Sequence, residues 1–360
     1  MEKFKSFIVE EKDIEKYRVL VISTEHGDNS ITAERLEDEA KKLGFEFYVV
    51  KMNGSYIKFD NGKYTIHKDD DTKGFELNSD NTVCFMRGTP SRDSYLDLVS
   101  QLERIGIPMV NSRVCLERAA DKYRTYLRLK AFGLDQPKTV LCPSPDAAEI
   151  AFENLDTKFP IILKTLRGSK GIGVLFVESE RSLNSLIQTL YKMDTEADIL
   201  MQEYIKTDYD VRAIVLDGKV IAAMRRNVVE GDFRSNASQG AEVESIELTK
   251  LEIDQCIHAA KSIGGIFTGV DFIPSKNRET QNPLFLEVNS SPGTESIEEA
   301  TGLNISKILL EYFKDKKKRY TVPNDCGYYE SVTIKPFGAV VAKFDTGNSN
   351  NCILHAEDVK

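Results

Sequence analysis

A chain of 360 residues is long enough for two or three domains with cores of their own. Its 41% hydrophobic and 29% charged residues are ordinary for a soluble globular protein, and no apolar run or leading segment is typical of a membrane span or a signal peptide. The net charge of −9 disfavours direct binding of nucleic acid, and six cysteines without CxxC spacing favour a reducing cytoplasm over a disulfide or zinc framework.

The first hundred residues alternate between strand and helix patterns. A dipeptide typical of a two-residue hairpin, Asn61-Gly62, separates two further short strands at 56–59 and 63–66. This alternation predicts a small α/β unit with a parallel sheet. Its strands are expected at 17–23, 46–52, 82–87 and 107–110, and its helices at 30–43 and 93–105.

The remainder of the chain reads as mixed helices and strands followed by a β-rich tail. A hairpin is expected around Asp217-Gly218, between strands 211–216 and 219–225, with a polar loop at 231–240. The basic run 314–319 is interpreted as a helix end entering a linker, with a patch for an acidic partner as the alternative. Helices are expected at 113–132, 180–193, 249–263 and 303–318, and strands at 137–141, 160–166, 172–177, 198–204, 269–273 and 285–289, with the tail at 327–360.

Oxygen-bearing side chains cluster on the last two strands before this tail. Glu287 and Asn289 are two residues apart, so on a strand they point to the same side, while Leu286 and Val288 are expected to face a core. Asp271 is an isolated carboxylate on the preceding strand. Carboxylate and carboxamide oxygens are ligands suited to Mg²⁺, so these residues predict a cation site if a phosphate is nearby.

A glycine-rich segment, residues 165–173, lies between two predicted strands and follows Lys164. Its backbone N–H groups can line a phosphate, and Lys164 would then be a phosphate ligand. The segment is neither a Walker A motif nor a GxGxxG fingerprint, so a plain hairpin turn is the alternative. Lys122 is on a predicted helix, and taken by itself it is interpreted as a solvated surface lysine.

Polar residues at the following strand ends allow a nucleotide site. Residues 202–205 place Gln and Glu before Tyr and Ile, which suits a purine and ribose and equally suits a plain strand end. Asp210 and Arg212 alternate with apolar residues and so face one side. The cations Arg212, Arg225, Arg226 and Arg234 could clamp a phosphoryl group, or could be surface arginines.

In this order the motifs closely resemble the ATP-grasp superfamily, and within it the RimK-type ligases that add glutamate to the C-terminus of a ribosomal protein. The resemblance covers about residues 17–315. Its motifs are the lysine and glycine loop at 164–173, Gln202-Glu203-Tyr204-Ile205, the Glu230–Asn236 segment, Val270-Asp271, and 286–293 with its continuation 298–305.

The resemblance implies an α/β and α+β chain with the ATP-grasp fold, an N-terminal α/β (pre-ATP-grasp) domain and a short β-rich C-terminal appendage. The expected domains are residues 1–112, a central lobe at 113–200, a C-terminal lobe with the metal site at 201–318, and a linker with the tail at 319–360.

The resemblance also assigns roles to the site residues. ATP would bind between the lobes, with adenine at Glu203–Ile205 and the ribose on Asp210. Two Mg²⁺ ions, with Mn²⁺ as a substitute, would be held by Asp271, Glu287 and Asn289, and Arg212 and Arg234 would steady an acylphosphate. The nucleotide-binding set is Lys122, Lys164, Gly168, Ser169, Gly171, Ile172, Gly173, Gln202, Glu203, Tyr204, Ile205, Asp210, Asp232, Phe233 and Arg234.

The implied activity is an ATP-dependent carboxylate–amine ligase of the cytoplasm, forming a C–N bond through an acylphosphate. Glutamate would be added to a protein or peptide C-terminus, and the resemblance suggests a homo-oligomer. The alternatives are a ligase of small amino acids or dipeptides and a non-catalytic nucleotide- and peptide-binding protein. Two departures bear on the substrate: Arg167-Gly168-Ser169-Lys170 stands where the family often has Glu-Gly-Thr-Gln, and no basic residue follows Asn236 before Gly240.

The tail carries a separate motif, Asp345-Thr346-Gly347 after an apolar run. It resembles the opening of the retropepsin-like proteases that often accompany RimK-type ligases. Aspartic peptidases need two carboxylates that share a proton, and this stretch supplies Asp345 alone. A structural β appendage or remnant is therefore favoured over an active peptidase.

Overall fold

The computed structural model describes residues 16–24, 31–68, 71–90, 93–166, 173–194, 198–228, 242–315, 318, 329–334 and 338–343. The chain divides into two units, Met1–Thr321 and Val322–Lys360. In the described part of the chain, no helix combines the length and the apolar character needed to cross a membrane.

The first unit begins with a parallel sheet, as predicted, and its four strands have the order β2-β1-β6-β7. Strand β1 connects through α1 to β2 on one side, whereas β6 pairs with β1 on the other side, so the strand order reverses between β1 and β6. The elements of this region are β1 (Arg18–Ser23), α1 (Ile31–Lys42), β2 (Glu46–Lys51), β3 (Ser55–Asp60), β4 (Lys63–Lys68), β5 (Phe75–Leu77), β6 (Thr82–Arg87), α2 (Asp93–Ile105) and β7 (Met109–Val110).

The hairpin predicted at Asn61-Gly62 is confirmed. Strands β3 and β4 pair in antiparallel register around these two residues, which have φ angles of 49° and 80°. Positive φ at both central positions is the type I′ geometry that suits the strand twist. The short strand β5, which was not predicted, pairs with β4 to complete a three-stranded sheet.

The prediction of one helix over 113–132 is wrong, because two helices occupy that range. They are α3 (Arg113–Ala119) and α4 (Lys122–Ala131). Asp121 has extended backbone geometry, and its side chain accepts hydrogen bonds from the N–H groups of Tyr123 and Arg124. An aspartate that caps a new helix start in this way ends the preceding helix.

A four-stranded antiparallel sheet of order β10-β9-β11-β8 forms the central lobe. Helices α5 and α6 pack on it through a core that includes Leu155, Leu163, Ile187 and Met201. The sequence did not predict α5, which has only eight residues. The elements are β8 (Thr139–Cys142), α5 (Ala148–Leu155), β9 (Ile161–Thr165), β10 (Val174–Val177), α6 (Glu180–Met193) and β11 (Ile199–Glu203).

A five-stranded antiparallel sheet of order β14-β13-β12-β15-β16 forms the C-terminal lobe. Its β12–β13 hairpin turns at Asp217-Gly218, as predicted. The last predicted helix begins later and ends earlier than expected, and the short strand β14 and helix α8 were not predicted. The elements are β12 (Tyr209–Leu216), β13 (Lys219–Asn227), β14 (Val243–Ser245), α7 (Lys250–Ile263), β15 (Phe267–Ile273), β16 (Leu284–Asn289), α8 (Glu295–Thr301) and α9 (Ile305–Lys314).

One residue of β16 departs from the regular strand pattern. Asp271 is opposite Glu287, but the next residue, Phe272, is opposite Phe285, so Leu286 is an extra residue on β16. Such a bulge shifts the alternation of side chains by one position. Phe285 and Val288 are therefore buried and Leu286 is half-buried, which corrects the prediction that Leu286 faces the core.

The second unit contains an antiparallel hairpin of β17 (Tyr329–Ile334) and β18 (Gly338–Lys343). These two strands agree with the β-rich tail predicted from the sequence. Asp345, the residue singled out in that tail, lies outside the described residues.

Candidate active site

Two lysines from different elements lie in the field of one carboxylate. Lys164 is on β9, and Lys122 is the first residue of α4, where its backbone N–H donates to the carbonyl of Leu166 at 3.3 Å. The negative charge of Glu287 acts on both lysines and favours their charged forms. Lys122, Lys164 and Glu287, although far apart in sequence, therefore lie within electrostatic reach of one another.

Lys164 is held by the neighbouring strand. Its Nζ donates to Oε1 of Gln202 at 2.7 Å, and Gln202 Nε2 donates to Oγ1 of Thr139 at 2.8 Å. Burial lowers the pKa of Lys164 to about 8, and the nearby Lys122 lowers it further while Glu287 opposes the change. Among the described residues, no carboxylate is within ion-pair distance of this ammonium, so it is suited to receive an anion from outside.

The strand end after Gln202 is held by side-chain contacts. Glu203 Oε1 accepts from the N–H of Lys138 at 2.7 Å, and the Tyr204 ring packs edge-on against Phe176 with centroids 5.0 Å apart. Ile205 is half-buried at the turn that follows. These residues form the connection from the central lobe to the C-terminal lobe.

Three oxygen-bearing side chains lie on the same side of β15 and β16. Asp271 is opposite Glu287, Asn289 is opposite Gly269, and Asn289 Nδ2 donates to Glu287 Oε1 at 2.9 Å. The described part contains no group of three or more His, Cys, Asp or Glu side chains arranged to hold a metal, so the candidate set is two carboxylates and one carboxamide. All-oxygen donors of this kind fit a hard cation.

Arginines already hold Asp271. Arg212, which is opposite Asp271 on β12, donates to its two oxygens at 2.6 and 2.5 Å and lies 3.9 Å from Glu287 Oε1. Burial alone would raise the pKa of Asp271, but Arg212 and Arg226 outweigh it and hold that pKa well below the usual range. A cation at this site would share the Asp271 oxygens with these guanidinium groups.

Arg226, which the sequence left as either a phosphoryl clamp or a surface charge, connects two other predicted site residues. Its Nε and Nη2 donate to the two oxygens of Asp210 at 2.7 Å each, and Nη2 also donates to Asp271 at 3.0 Å. All three side chains are buried. The neighbouring Arg225 is half-buried and pairs with Glu244 at 2.6 Å, so only one of the two arginines is internal.

Part of the predicted set lies outside the described residues. Of the glycine loop, Gly173 is described: its carbonyl accepts from Thr165 N–H at 3.0 Å, and its φ of 83° suits glycine. The predicted residues that lie outside the description are Gly168, Ser169, Gly171, Ile172, Asp232, Phe233 and Arg234.

An antiparallel sheet bearing the half-buried Lys164, followed by a second antiparallel sheet bearing an oxygen cluster, is the arrangement of the ATP-grasp class, and solved structures agree. The ligase PsnB bound to a minimal precursor aligns with a TM-score of 0.63 and 20% identity over 84% of this chain and 99% of that one. D-alanine–D-alanine ligase from Bacillus anthracis, complexed with ATP, aligns with a TM-score of 0.60 and 18% identity over 84% and 98%.

The sequence comparisons are more specific. The RimK-like ATP-grasp domain matches residues 119–313. A probable alpha-L-glutamate ligase of Teredinibacter turnerae is 33% identical over 82% of this chain and 95% of its own length, and one of Methanococcoides burtonii is 33% identical over 80% and 92%. The chain therefore belongs to the RimK-like ATP-grasp family, which confirms the predicted fold, family and ligase class.

Proposed function

We propose that this protein is an ATP- and Mg²⁺-dependent carboxylate–amine ligase that adds glutamate to the C-terminus of a protein or peptide. The single observation that carries the proposal is that Lys122 and Lys164, on different elements, both lie within the electrostatic influence of Glu287 of the oxygen cluster. Family membership supports the ATP requirement, and the names of the relatives support glutamate.

The reaction follows the chemistry of the class. A carboxylate oxygen attacks the γ-phosphorus of ATP, and ADP leaves with the electrons of the broken P–O bond. The amine nitrogen then attacks the acylphosphate carbon, loses a proton to solvent, and expels phosphate. Most of the barrier in such transfers is overcome by positioning and by neutralising charge.

The residues of the chain divide this work. Lys122 and Lys164 would contact the phosphates, Glu203–Ile205 the adenine, and Asp210 the ribose, with Gly168, Ser169, Gly171, Ile172, Gly173, Gln202 and 232–234 around the nucleotide. Arg212 and Arg234 would neutralise charge on the acylphosphate. Because Arg226 occupies both oxygens of Asp210, ribose binding would require Asp210 to accept a further hydrogen bond.

Asp271, Glu287 and Asn289 would hold the metal. Two Mg²⁺ ions, or Mn²⁺ in their place, would supply positive charge to the β- and γ-phosphate oxygens. One PsnB structure was determined with Mg and ADP, which supports a divalent cation in this fold.

We include in the proposal a homo-oligomer and a cytoplasmic location. Buried free thiols fit a reducing compartment, and the structure has four of them among the described residues, at Cys84, Cys115, Cys142 and Cys256.

The test is phosphate release from ATP and Mg²⁺ with each amino acid in turn, with and without a peptide that ends in glutamate. Release that needs both glutamate and the peptide, with a mass increase of one glutamyl residue, supports the proposal. Release with free amino acids alone identifies a small-molecule ligase instead. Nucleotide binding without release in any mixture contradicts the ligase proposal.

A further inference from the structure

The carboxyl ends of β1 and β6 form the edge of the parallel sheet at which the strand order reverses. In open sheets with parallel strands, ligands bind outside the strand ends at such a reversal. Ser23 is the last residue of β1 and Arg87 the last of β6, and the two are paired in register. None of the proposed nucleotide or metal roles uses either residue.

Arg87 is a buried cation whose positive charge is only weakly balanced by nearby negative charge. Its Nη2 donates to the carbonyl of Pro292 at 3.0 Å, while Nε has no partner and Nη1 donates to no described residue. No described carboxylate is within ion-pair distance. Burial lowers the pKa of Arg87 to about 10, and the charge of Glu295 only partly opposes this. A buried guanidinium without a paired anion is costly, so a reason for keeping it is required.

Two hydroxyl groups on chain segments that adjoin Arg87 also lack partners. Ser23 Oγ and Thr294 Oγ1 are fully buried and form no hydrogen bond. Thr294 comes two residues after Pro292, the residue that Arg87 contacts. Because buried polar groups in folded proteins are nearly always paired, the unpartnered Arg87 Nε, Ser23 Oγ and Thr294 Oγ1 on these adjoining segments indicate a place for an external acceptor.

This edge is next to the candidate active site. Pro292 packs so closely on Gly269 that a Cβ there would lie 2.9 Å from Pro292 Cβ, and the same position would be 3.8 Å from Cδ of Arg212. Arg212 in turn holds Asp271. The loop that follows Asn289, the last ligand of the oxygen cluster in sequence, thus lies between Arg87 and that cluster.

We propose that Arg87, Ser23 and Thr294 form a subsite for a carboxylate of the non-nucleotide substrate, one that is not itself activated by ATP. A guanidinium fork with two hydroxyl donors matches the acceptor geometry of a carboxylate. The ligand class is an amino acid or a peptide with a free carboxylate. The assignment of this ligand rests on the proposed ligase function.

The experiment measures binding, not turnover. Wild type, Arg87→Gln and Arg87→Lys are titrated calorimetrically in the presence of Mg²⁺ and a non-hydrolysable ATP analogue. The probes are glutamate, its γ-amide glutamine, its α-amide isoglutamine, and a tripeptide ending in glutamate with a free or amidated C-terminus. Arg35→Gln is the control, because Arg35 on α1 is an arginine paired with Glu298 on α8.

The expected result is that wild type prefers one carboxylate probe over its matched amide by about tenfold or more, as for a charge-assisted pair. Arg87→Gln should abolish that preference, Arg87→Lys should restore part of it, and both should leave nucleotide affinity unchanged. The probe pair that shows the preference separates a free amino acid from a peptide as the source.

Thr294→Val is a second variant that keeps the test decisive if the Arg87 variants fail to fold. Removing an unpartnered buried hydroxyl should leave the stability of the protein unchanged or raised, yet weaken binding of the preferred carboxylate probe. The proposal is overturned if wild type shows no carboxylate preference, or if the variants weaken carboxylate and amide equally. If wild type shows the preference but releases no phosphate with any acceptor, the ligase function fails while the subsite stands.

Discussion

Asn111 Nδ2 donates a 2.6 Å hydrogen bond to the carbonyl of Ser290, the residue after the candidate ligand Asn289. The same nitrogen donates to the carbonyl of Phe267 at 2.6 Å, and Oδ1 accepts from the N–H groups of Ile266 and Phe267 at 2.7 and 3.0 Å. This fully buried side chain therefore uses both donors and both lone pairs. It joins the end of β7 to the start of β15 and to the end of β16.

Asn111→Ala should destabilise the protein strongly. Four backbone groups would lose their partner in a buried place, and the expected loss of unfolding free energy is about 3 kcal/mol or more. The measurement is urea unfolding. Asn282→Ala is the control, because Asn282 is exposed and, among the described residues, its side chain bonds only to the side chains of Asp135 and Gln255. Equal losses in the two variants would contradict the role of Asn111.

Arg226→Met should be far more damaging than Arg225→Met. The first change leaves the buried carboxylates of Asp210 and Asp271 without their shared cation, at a cost of roughly 3–5 kcal/mol. The second removes a half-exposed pair with Glu244, worth about 1 kcal/mol or less. Unfolding free energies at pH 7 provide the comparison.

The same variant gives a pH dependence with a defined sign. In wild type the pKa of Asp271 is lowered, so its contribution to stability is present at neutral pH and is lost as the pH falls through the acid range. Without Arg226 that pKa rises and protonation relieves the buried charge. The stability gap between wild type and Arg226→Met should therefore narrow as the pH falls from 7 toward about 4; a constant gap would argue against the assigned charges.

Lys164 predicts a pH effect at the alkaline end. Its pKa is about 8 in the folded protein against 10.5 for an ordinary lysine. Between these values the unfolded chain binds more protons, so the contribution of Lys164 to stability rises with pH, by on the order of 3 kcal/mol in total. Unfolding free energy measured across this interval should rise less in Lys164→Met than in wild type. The exposed Lys192→Met should follow wild type, and parallel curves for all three would disprove the prediction.

Glu287→Gln tests the metal assignment. The exposed fraction of the Glu287 side chain is 41%, so stability should change little, whereas phosphate release at limiting Mg²⁺ should fall about 100-fold. Added Mg²⁺ should restore part of the activity, and chelation should abolish it in wild type. Glu279→Gln, an exposed change between the same two strands, should leave the Mg²⁺ titration unchanged. Full activity in Glu287→Gln would remove Glu287 from the proposed ligands.

The sequence predicts those parts of the fold that depend on local signals. Asn61-Gly62 and Asp217-Gly218 specify their hairpins because few residues adopt positive φ, and both dipeptides do so here. The alternation of Glu287 and Asn289 likewise suffices to place both on one side of a strand. These features need no knowledge of what packs against them.

Other features depend on partners that are distant in sequence. Arg225 and Arg226 are identical residues side by side, and only the pairing of Arg226 with Asp210 across β12 and β13 decides which is buried. Asn111 and Arg87 have no local pattern that marks them. The break at Asp121 was missed because an apolar period continues across it, and the bulge at Leu286 because a period of two cannot reveal an extra residue.

That extra residue makes the two ends of β16 independent of each other. Upstream of Leu286, Phe285 meets Phe272 in the core, and downstream Glu287 and Asn289 stay in step with Asp271 and Gly269. In a strand without this residue, either Phe285 would leave the core, or Glu287 and Asn289 would no longer lie on the same side as Asp271. Because of the bulge, a substitution can change the packing around Phe285 without rotating the side chains of Glu287 and Asn289. Deleting one residue here would turn those two side chains toward the core.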